Sequence, residues 1–110
     1  MPFLIRPFRR FPICCSVTYN TGPFQGQGTV WNLSYSGWRF SGDLPLRPGE
    51  VCSLSMSLPN QETIFADAAE VRWVRANGYG TEIRQLDKLS KSRLENYVKR
   101  LVNERAEAIP

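Results

Sequence analysis

The chain has 110 residues, 42% of them hydrophobic, with 14 lysines and arginines, 10 aspartates and glutamates, and no histidine. The length suits one compact domain, and the hydrophobic fraction is typical of a folded protein rather than a disordered one. The lack of histidine excludes Ser-His-Asp and Cys-His relays and any histidine general base. No apolar run reaches the ~18 residues that a membrane span requires, and the N-terminus is not typical of a secretory signal, so we expect a cytoplasmic protein without membrane insertion.

The first twelve residues contain prolines at positions 2, 7 and 12 and show neither helical nor strand periodicity. Proline removes a backbone donor and favours an extended neighbour, so this segment is predicted to be an arm. The net charge of +4 lies entirely in residues 1–49, where Arg6, Arg9 and Arg10 fall within five positions. We therefore expect an anionic partner on the N-terminal side of the molecule.

Arg6 and Arg10 are the two residues of the arm whose spacing is informative. In an extended chain, residues four apart point the same way and lie roughly 13 Å apart, at ~3.3 Å per residue. Each guanidinium can pair with a phosphate or with the O6/N7 edge of guanine, and the separation suits the two ends of a dinucleotide. The alternative interpretation is a solvated arm that binds nothing.

Six strand-like segments follow the arm, separated by turn and loop residues. The clearest is 51–58, in which Cys52, Leu54, Met56 and Leu58 alternate with three serines, as expected for a strand with one buried face. The predicted strands are 13–19, 28–34, 38–41, 51–58, 63–74 (long enough for a bend or bulge) and 79–86, with TGPFQGQG and Asn77-Gly78 as turns. Six antiparallel strands at near-regular spacing indicate a small barrel or sandwich.

The C-terminal segment changes to helical periodicity. Its apolar residues recur along one face of a helix over residues 89–107: Leu94, Tyr97, Val98, Leu101 and Val102. Ser92 and Glu95 have the spacing of a capping box, although Ser90 could equally start the helix. This helix is predicted to cap an open end of the barrel or to pack on its side. A contact between two copies through the same face stays open, so we expect a monomer or a weak homodimer.

Three cysteines, Cys14, Cys15 and Cys52, are odd in number and lack the CxxC spacing of metal sites. We expect reduced, packed thiols rather than disulfides or metal ligands.

A second polar cluster lies at the end of a predicted strand. Asn32 and Ser34 share one side of that strand in a regular alternation, and Gly37 follows at the turn. The asparagine amide can meet a base edge, the serine hydroxyl can reach a phosphate or a base, and glycine allows a ligand to approach the backbone. These residue types also simply make a good turn.

The three tryptophans are assigned different roles. Trp73 is either a core residue that shares a face with Val71 or a stacking surface for a base, and the sequence does not separate the two. Trp31 and Trp38 flank the turn around residues 34–37 and are expected to be packing residues.

With RPFRR at 6–10 followed by FPI, and NLSYSG at 32–37 followed by WRF, the chain resembles the PilZ family, whose motifs are RxxxR and (D/N)xSxxG. The segments LRPGE, VCSLSMSLP, EVRWV, YGTEI and RLENYVKRL look like later landmarks of that family in the right order. The resemblance implies an all-β fold, a six-stranded antiparallel β-barrel of the split-barrel type with a C-terminal α-helix. We expect one domain, with the arm at 1–12, the barrel at 13–88 and the helix at 89–107.

The resemblance also implies a bacterial receptor for cyclic di-GMP that passes its signal to an unidentified protein. Arg6 and Arg10 would clamp guanine edges and phosphates, Asn32 and Ser34 would contact a guanine, and Gly37 would let the chain turn beside it. Arg9 is expected at a phosphate or in solvent, and Trp73 against a base. The apolar Ile5 favours one bound ligand molecule rather than two. The arm is predicted to fold across the ligand.

Two other functions compete with the receptor. Some PilZ-like domains are protein adaptors in pilus or motility systems that bind no nucleotide, although those usually lack one or both motifs. A barrel that binds single-stranded nucleic acid is the second, but residues 50–110 are neutral overall, so we expect no DNA or RNA partner. An enzyme is the least expected class, because no carboxylate pair, activated nucleophile or GxxxxGK loop is present. No cofactor and no metal are expected.

Overall fold

The fold is a closed barrel of antiparallel strands, seen in a computed structural model that describes residues 11–34, 36–76 and 78–108. Around the barrel the strands follow the order β1-β2-β3-β6-β5-β4. Closure decides between the two predicted architectures in favour of the barrel. The elements are β1 (Phe11–Thr21), β2 (Phe24–Leu33), β3 (Gly37–Gly42), β4 (Val51–Ser57), β5 (Thr63–Arg75), β6 (Gly78–Leu86) and α1 (Lys88–Ala108).

The barrel interior is filled by buried side chains from every strand. In β4, Cys52, Leu54 and Met56 are buried while the intervening serines are not, as predicted. One cluster of rings fills the part of the interior near the β3–β4 loop, where Tyr19 packs 5.0 Å from Phe40 and 6.4 Å from Tyr79 between ring centroids. The Tyr19 hydroxyl donates to the Leu44 carbonyl oxygen at 2.6 Å and so ties that loop to the core.

The segment TGPFQGQG was predicted to be a turn, but most of it lies in β2, which already begins at Phe24. Its glycines belong to the sheet. A Cβ on Gly26 would lie 2.5 Å from the Tyr19 ring, and a Cβ on Gly28 would lie 1.7 Å from the Ser41 carbonyl oxygen. Glycine is present at these two positions because a ring and a neighbouring strand approach closely, which local turn propensity does not reveal.

The helix is capped by Asp87 rather than by the predicted Ser90 or Ser92. The Asp87 carboxylate accepts a hydrogen bond from the Ser90 backbone N–H at 2.6 Å, the usual interaction of an aspartate at this position. Ser90 instead docks the helix, since its buried hydroxyl accepts a hydrogen bond from the Phe65 N–H of β5 at 2.8 Å. Leu94 and Val98 are buried in the core.

All three cysteines are free thiols as predicted, but the predicted packing is correct only for Cys15 and Cys52. Cys15 and Cys52 are free thiols in the core, and burial raises the pKa of the Cys52 thiol to about 11. Cys14 is exposed because it alternates with Cys15 along β1 and so points outward.

Among residues 11–34, 36–76 and 78–108, no helix has the length and apolarity that a membrane crossing demands.

Candidate ligand site

The start of β1 lies beside the end of β2. Phe11 is paired with Leu33, and Pro12 is paired with Asn32. Phe11 and Pro12 were predicted to end the arm, but they begin β1, so the arm joins the barrel at Phe11, beside the 32–37 motif. Arg6, Arg9 and Arg10 themselves lie outside the described residues, and their roles stay predictions.

Ser34 closes the turn between β2 and β3. Its buried hydroxyl donates to the Gly37 carbonyl oxygen at 2.9 Å and accepts a hydrogen bond from the Gly37 N–H at 3.1 Å. The Ser34 N–H also donates to the Gly37 carbonyl oxygen at 3.0 Å. With its proton and one lone pair engaged, the hydroxyl stabilises the turn in this structure.

Gly37 is required by the neighbouring strand. A Cβ at this position would lie 2.8 Å from the Thr81 carbonyl oxygen of β6, closer than real Cβ contacts. Its φ is not in the left-handed region, so close approach rather than backbone conformation explains the glycine. The glycine of the motif thus lets β3 start in contact with β6.

A bulge in β2 sets the direction of Asn32. The register to β3 shifts between Val30 and Asn32, so that two successive residues, Trp31 and Asn32, lie on the outer surface between the buried Val30 and Leu33. Asn32 and the buried Ser34 therefore do not share a side, contrary to prediction. The Asn32 side chain makes no hydrogen bond to another residue within the described ranges and is half-buried.

Trp31 was expected to be a packing residue, and this is wrong, because the same bulge leaves it 47% exposed. Its indole N–H donates to the Ser41 hydroxyl at 2.8 Å. Trp38, by contrast, is buried as predicted. An exposed aromatic side chain therefore lies directly beside Asn32. The outward direction of Trp31 is explained by the bulge, which the sequence does not predict.

Trp73 lies on the outside of the barrel. A register shift between Val71 and Trp73 breaks the alternation that would have put both on the core side. The ring lies over Gly80, where a Cβ would come within 2.1 Å of it. This geometry favours the second predicted role of Trp73, a partly exposed aromatic surface, over the core.

Asn32 and Trp73 are connected by strand pairing. Asn32 is paired with Arg39, Arg39 with Gly80, and Gly80 with Trp73, which forms one outer row across β2, β3, β6 and β5. The Arg39 guanidinium carbon lies 4.9 Å from the Trp73 ring centroid, and that of Arg75 lies 5.5 Å from it. Arg39 belongs to neither sequence motif. Its position between the core residues Trp38 and Phe40 is the signal that places it on the outer face.

A pocket of about 420 Å³ opens beside this row, lined by Ser36, Gly37, Arg72, Trp73, Thr81 and Glu82. Next to it, Glu70 and Glu82 each contact Arg72 and Arg84. The hydrogen bond that Arg84 donates to the Glu70 carboxylate and the charge of Glu82 raise the pKa of Arg84. A larger groove of about 600 Å³ lies between β6 and α1, but it contains none of the predicted site residues.

Comparison with known proteins identifies the family. The family model described as PilZ domain matches residues 4–100, which span both motifs, all six strands and most of the helix. The chain belongs to the PilZ domain family. The PilZ domains are binding and adaptor domains, and the family is one of cyclic di-GMP receptors. The family match confirms the resemblance seen in the sequence. A comparison with curated proteins gives no match.

Two solved structures illustrate the shared fold. The inhibitor of motility MotI/DgrA of Bacillus subtilis superposes with a TM-score of 0.75 at 18% identity over 92% of this chain. The chain spans 53% of the length of that protein. The PilZ domain of CeSA from a cellulose-synthesizing bacterium superposes with a TM-score of 0.66 at 15% identity, over 84% of this chain and 97% of that domain. These likenesses confirm the predicted six-stranded barrel with a C-terminal helix.

Proposed function

We propose that this PilZ domain is a cyclic di-GMP receptor that binds the dinucleotide between its N-terminal arm and the outer row from Asn32 to Trp73. The observation that carries the proposal is the pairing of Pro12 with Asn32. Arg10 precedes Phe11 directly, and consecutive Cα atoms are ~3.8 Å apart, so the RxxxR segment is attached within reach of the second motif. An arm joined to the opposite end of the barrel would have excluded this site.

The residues of the site match the chemistry of the ligand. Cyclic di-GMP carries two phosphate charges and two guanines, which require cations, a polar group for a base edge and a surface for stacking. In the proposal, Arg6 and Arg10 supply the cations and the Asn32 amide meets a guanine edge. Trp73 stacks on a base, an interaction worth ~1–3 kcal/mol per base. Arg9 is left for a phosphate or the solvent.

Ser34 and Gly37 support the proposal in a different way. Because the Ser34 hydroxyl is engaged with Gly37, its main contribution is to hold the turn that places Asn32 and the backbone of residues 36–37 beside the ligand. Direct contact of Ser34 with a guanine stays a prediction. None of these groups needs to transfer a proton, so a chain without histidine is adequate for the task.

Signal output follows from closure of the arm. Folding of the arm across the outer row would replace the surface around residues 32–37 with a new one that contains the arm and the ligand. We propose that a downstream protein in the cytoplasm recognises this closed surface. Amide exchange in residues 4–12 should become slower at saturating cyclic di-GMP, and unchanged exchange would argue against closure.

Isothermal titration with cyclic di-GMP tests the receptor function. The parent chain should bind, and Arg10→Ala and Asn32→Ala should each weaken binding at least tenfold. Arg100→Ala is a matched control, because Arg100 lies on the helix in a cleft beside the β4–β5 turn and pairs with Glu104. If the parent binds no more tightly than the two site variants, the receptor function is wrong and the nucleotide-free adaptor becomes the better interpretation. Binding of oligonucleotides with strong salt dependence, without a response to cyclic di-GMP, would favour the nucleic-acid-binding barrel.

A further inference from the structure

Two arginines of the strands lack the acidic partners that the others have. Among the described arginine side chains in strands and helix, those within 4.0 Å of a carboxylate are Arg72, Arg84, Arg93 and Arg100. Arg39 and Arg75 have no such partner among the described residues. Both guanidiniums instead approach the ring of Trp73. In the described strands, the arginine charge without a carboxylate partner is therefore concentrated around one partly exposed indole.

Gly80 makes this arrangement possible. It separates Arg39 from Trp73 in the outer row, and any side chain at position 80 would occupy the space of the indole. With no side chain there, the Arg39 guanidinium extends across β6 and reaches the ring. From the two distances to the ring centroid, the guanidinium carbons of Arg39 and Arg75 are at most about 10 Å apart.

The nearby carboxylates do not neutralise this pair. Glu70 and Glu82 are engaged with Arg72 and Arg84 on the next part of the same surface. The two like charges repel each other, while each guanidinium is attracted to the ring. An anion bound between them would remove that repulsion and form charge-assisted hydrogen bonds.

We propose that Arg39 and Arg75 form a phosphate subsite that binds the phosphodiester groups of the cyclic dinucleotide beside the Trp73 ring. The subsite lies outside both sequence motifs. It lies in the same outer row as Asn32, one strand away at Arg39, so a single ligand can reach both. This inference rests on the proposed receptor function and adds to it two ligand-binding residues.

Charge-removing variants test the subsite. The dissociation constant for cyclic di-GMP is measured by calorimetry at low and at high salt for the parent, Arg39→Gln, Arg75→Gln and the control Arg100→Gln. Each site variant should raise the dissociation constant about 10- to 100-fold at low salt, the loss expected for a charge-assisted hydrogen bond. The control should stay within about twofold, because it removes the same charge away from the outer row.

The salt dependence separates a phosphate contact from a structural effect. Each Gln variant should show a smaller loss of affinity between low and high salt than the parent, since one screened charge interaction is gone. Arg39→Lys keeps the charge and should keep the salt dependence of the parent even if its affinity is lower. Site variants with parental affinity, or with weaker binding but a parental salt dependence, would overturn the subsite. A parent chain that does not bind would instead overturn the receptor function itself.

Discussion

The motif serine should be needed for stability before any ligand is present. Ser34→Ala deletes the hydroxyl that accepts from the Gly37 N–H and donates to the Gly37 carbonyl oxygen. The site is 2% exposed, so water does not readily replace the lost partner of that N–H. The Gly37 carbonyl oxygen keeps its bond from the Ser34 N–H. One buried donor is therefore left without its acceptor.

The expected cost follows from that single group. An unsatisfied buried donor costs about 1–3 kcal/mol of unfolding free energy. For a domain of about this size, each kcal/mol lowers the melting temperature by roughly 4 °C or more. Asn32→Ala provides the contrast within the same motif. The Asn32 side chain has no hydrogen bond to the described part of the chain, so its removal should change the unfolding free energy by less than about 0.5 kcal/mol.

Urea denaturation and thermal melts of the parent and both variants, without nucleotide, measure the difference. Ser34→Ala should lower the denaturation midpoint with an unchanged m-value, and Asn32→Ala should resemble the parent. Calorimetry should then show that both variants bind cyclic di-GMP more weakly. A Ser34→Ala variant as stable as the parent would refute the argument, since the hydroxyl would then act only on the ligand. An Asn32→Ala variant as destabilised as Ser34→Ala would refute the contrast.

Four further outcomes are expected. Gly80→Ala should displace the Trp73 ring, change the near-UV circular dichroism and weaken cyclic di-GMP binding, because the added Cβ would lie 2.1 Å from a ring atom. Leu94→Ala, at a helix position that is 1% exposed, should cost about 2–5 kcal/mol of unfolding free energy in denaturant titrations. Affinity for cyclic di-GMP should be nearly constant from about pH 5 to 8, because the chain has no histidine and arginine stays protonated. Stability should fall as the pH rises from about 9 to about 11, because burial raises the pKa of the Cys52 thiol from 9.0 to about 11, and Cys52→Ala should lose that part of the pH dependence.

The direction of the Cys52 effect follows from which state of the protein loses the thiol proton first. Below pH 9 the Cys52 thiol is protonated in both the folded and the unfolded chain, so the stability of the folded state is not reduced. Above pH 9 the unfolded chain loses this proton first, and the unfolded state is favoured. Stability that rises over this range, or falls equally in Cys52→Ala, would contradict the assignment. An unchanged tryptophan spectrum in Gly80→Ala, a change below 1 kcal/mol in Leu94→Ala, or a steep change of affinity near pH 6.5 would contradict the other three.

Much of the architecture could be predicted from local patterns. The alternation in β4 and the helical periodicity of α1 each report one buried face. The β4 face is buried as predicted, and so are Leu94 and Val98 of the helix, whereas Val102, predicted on the same face, is 47% exposed. The spacing of RxxxR and NxSxxG led to the family that the comparison confirms. These features succeed because each depends on residues only a few positions apart.

The errors share a different origin. The prediction for Trp31 was wrong and that for Trp73 stayed open, because two bulges shift the register of β2 and β5 against their neighbouring strands. A shift of one residue turns the following side chains to the other side of the sheet. The glycines of TGPFQGQG were assigned to a turn because their actual neighbours, the Tyr19 ring and Ser41, are distant in sequence or on another strand.

The amino-acid sequence by itself determined the family, the number of strands, the amphipathic helix and the residue types available for an anionic ligand. The tertiary structure alone decided which of those residues meet, because strand pairing across the closed barrel brings Asn32, Arg39 and Trp73 into one row and sets β1 beside the second motif. Register between strands depends on the packing of the whole barrel, so no local pattern could have placed Arg39 and Arg75 on the same indole.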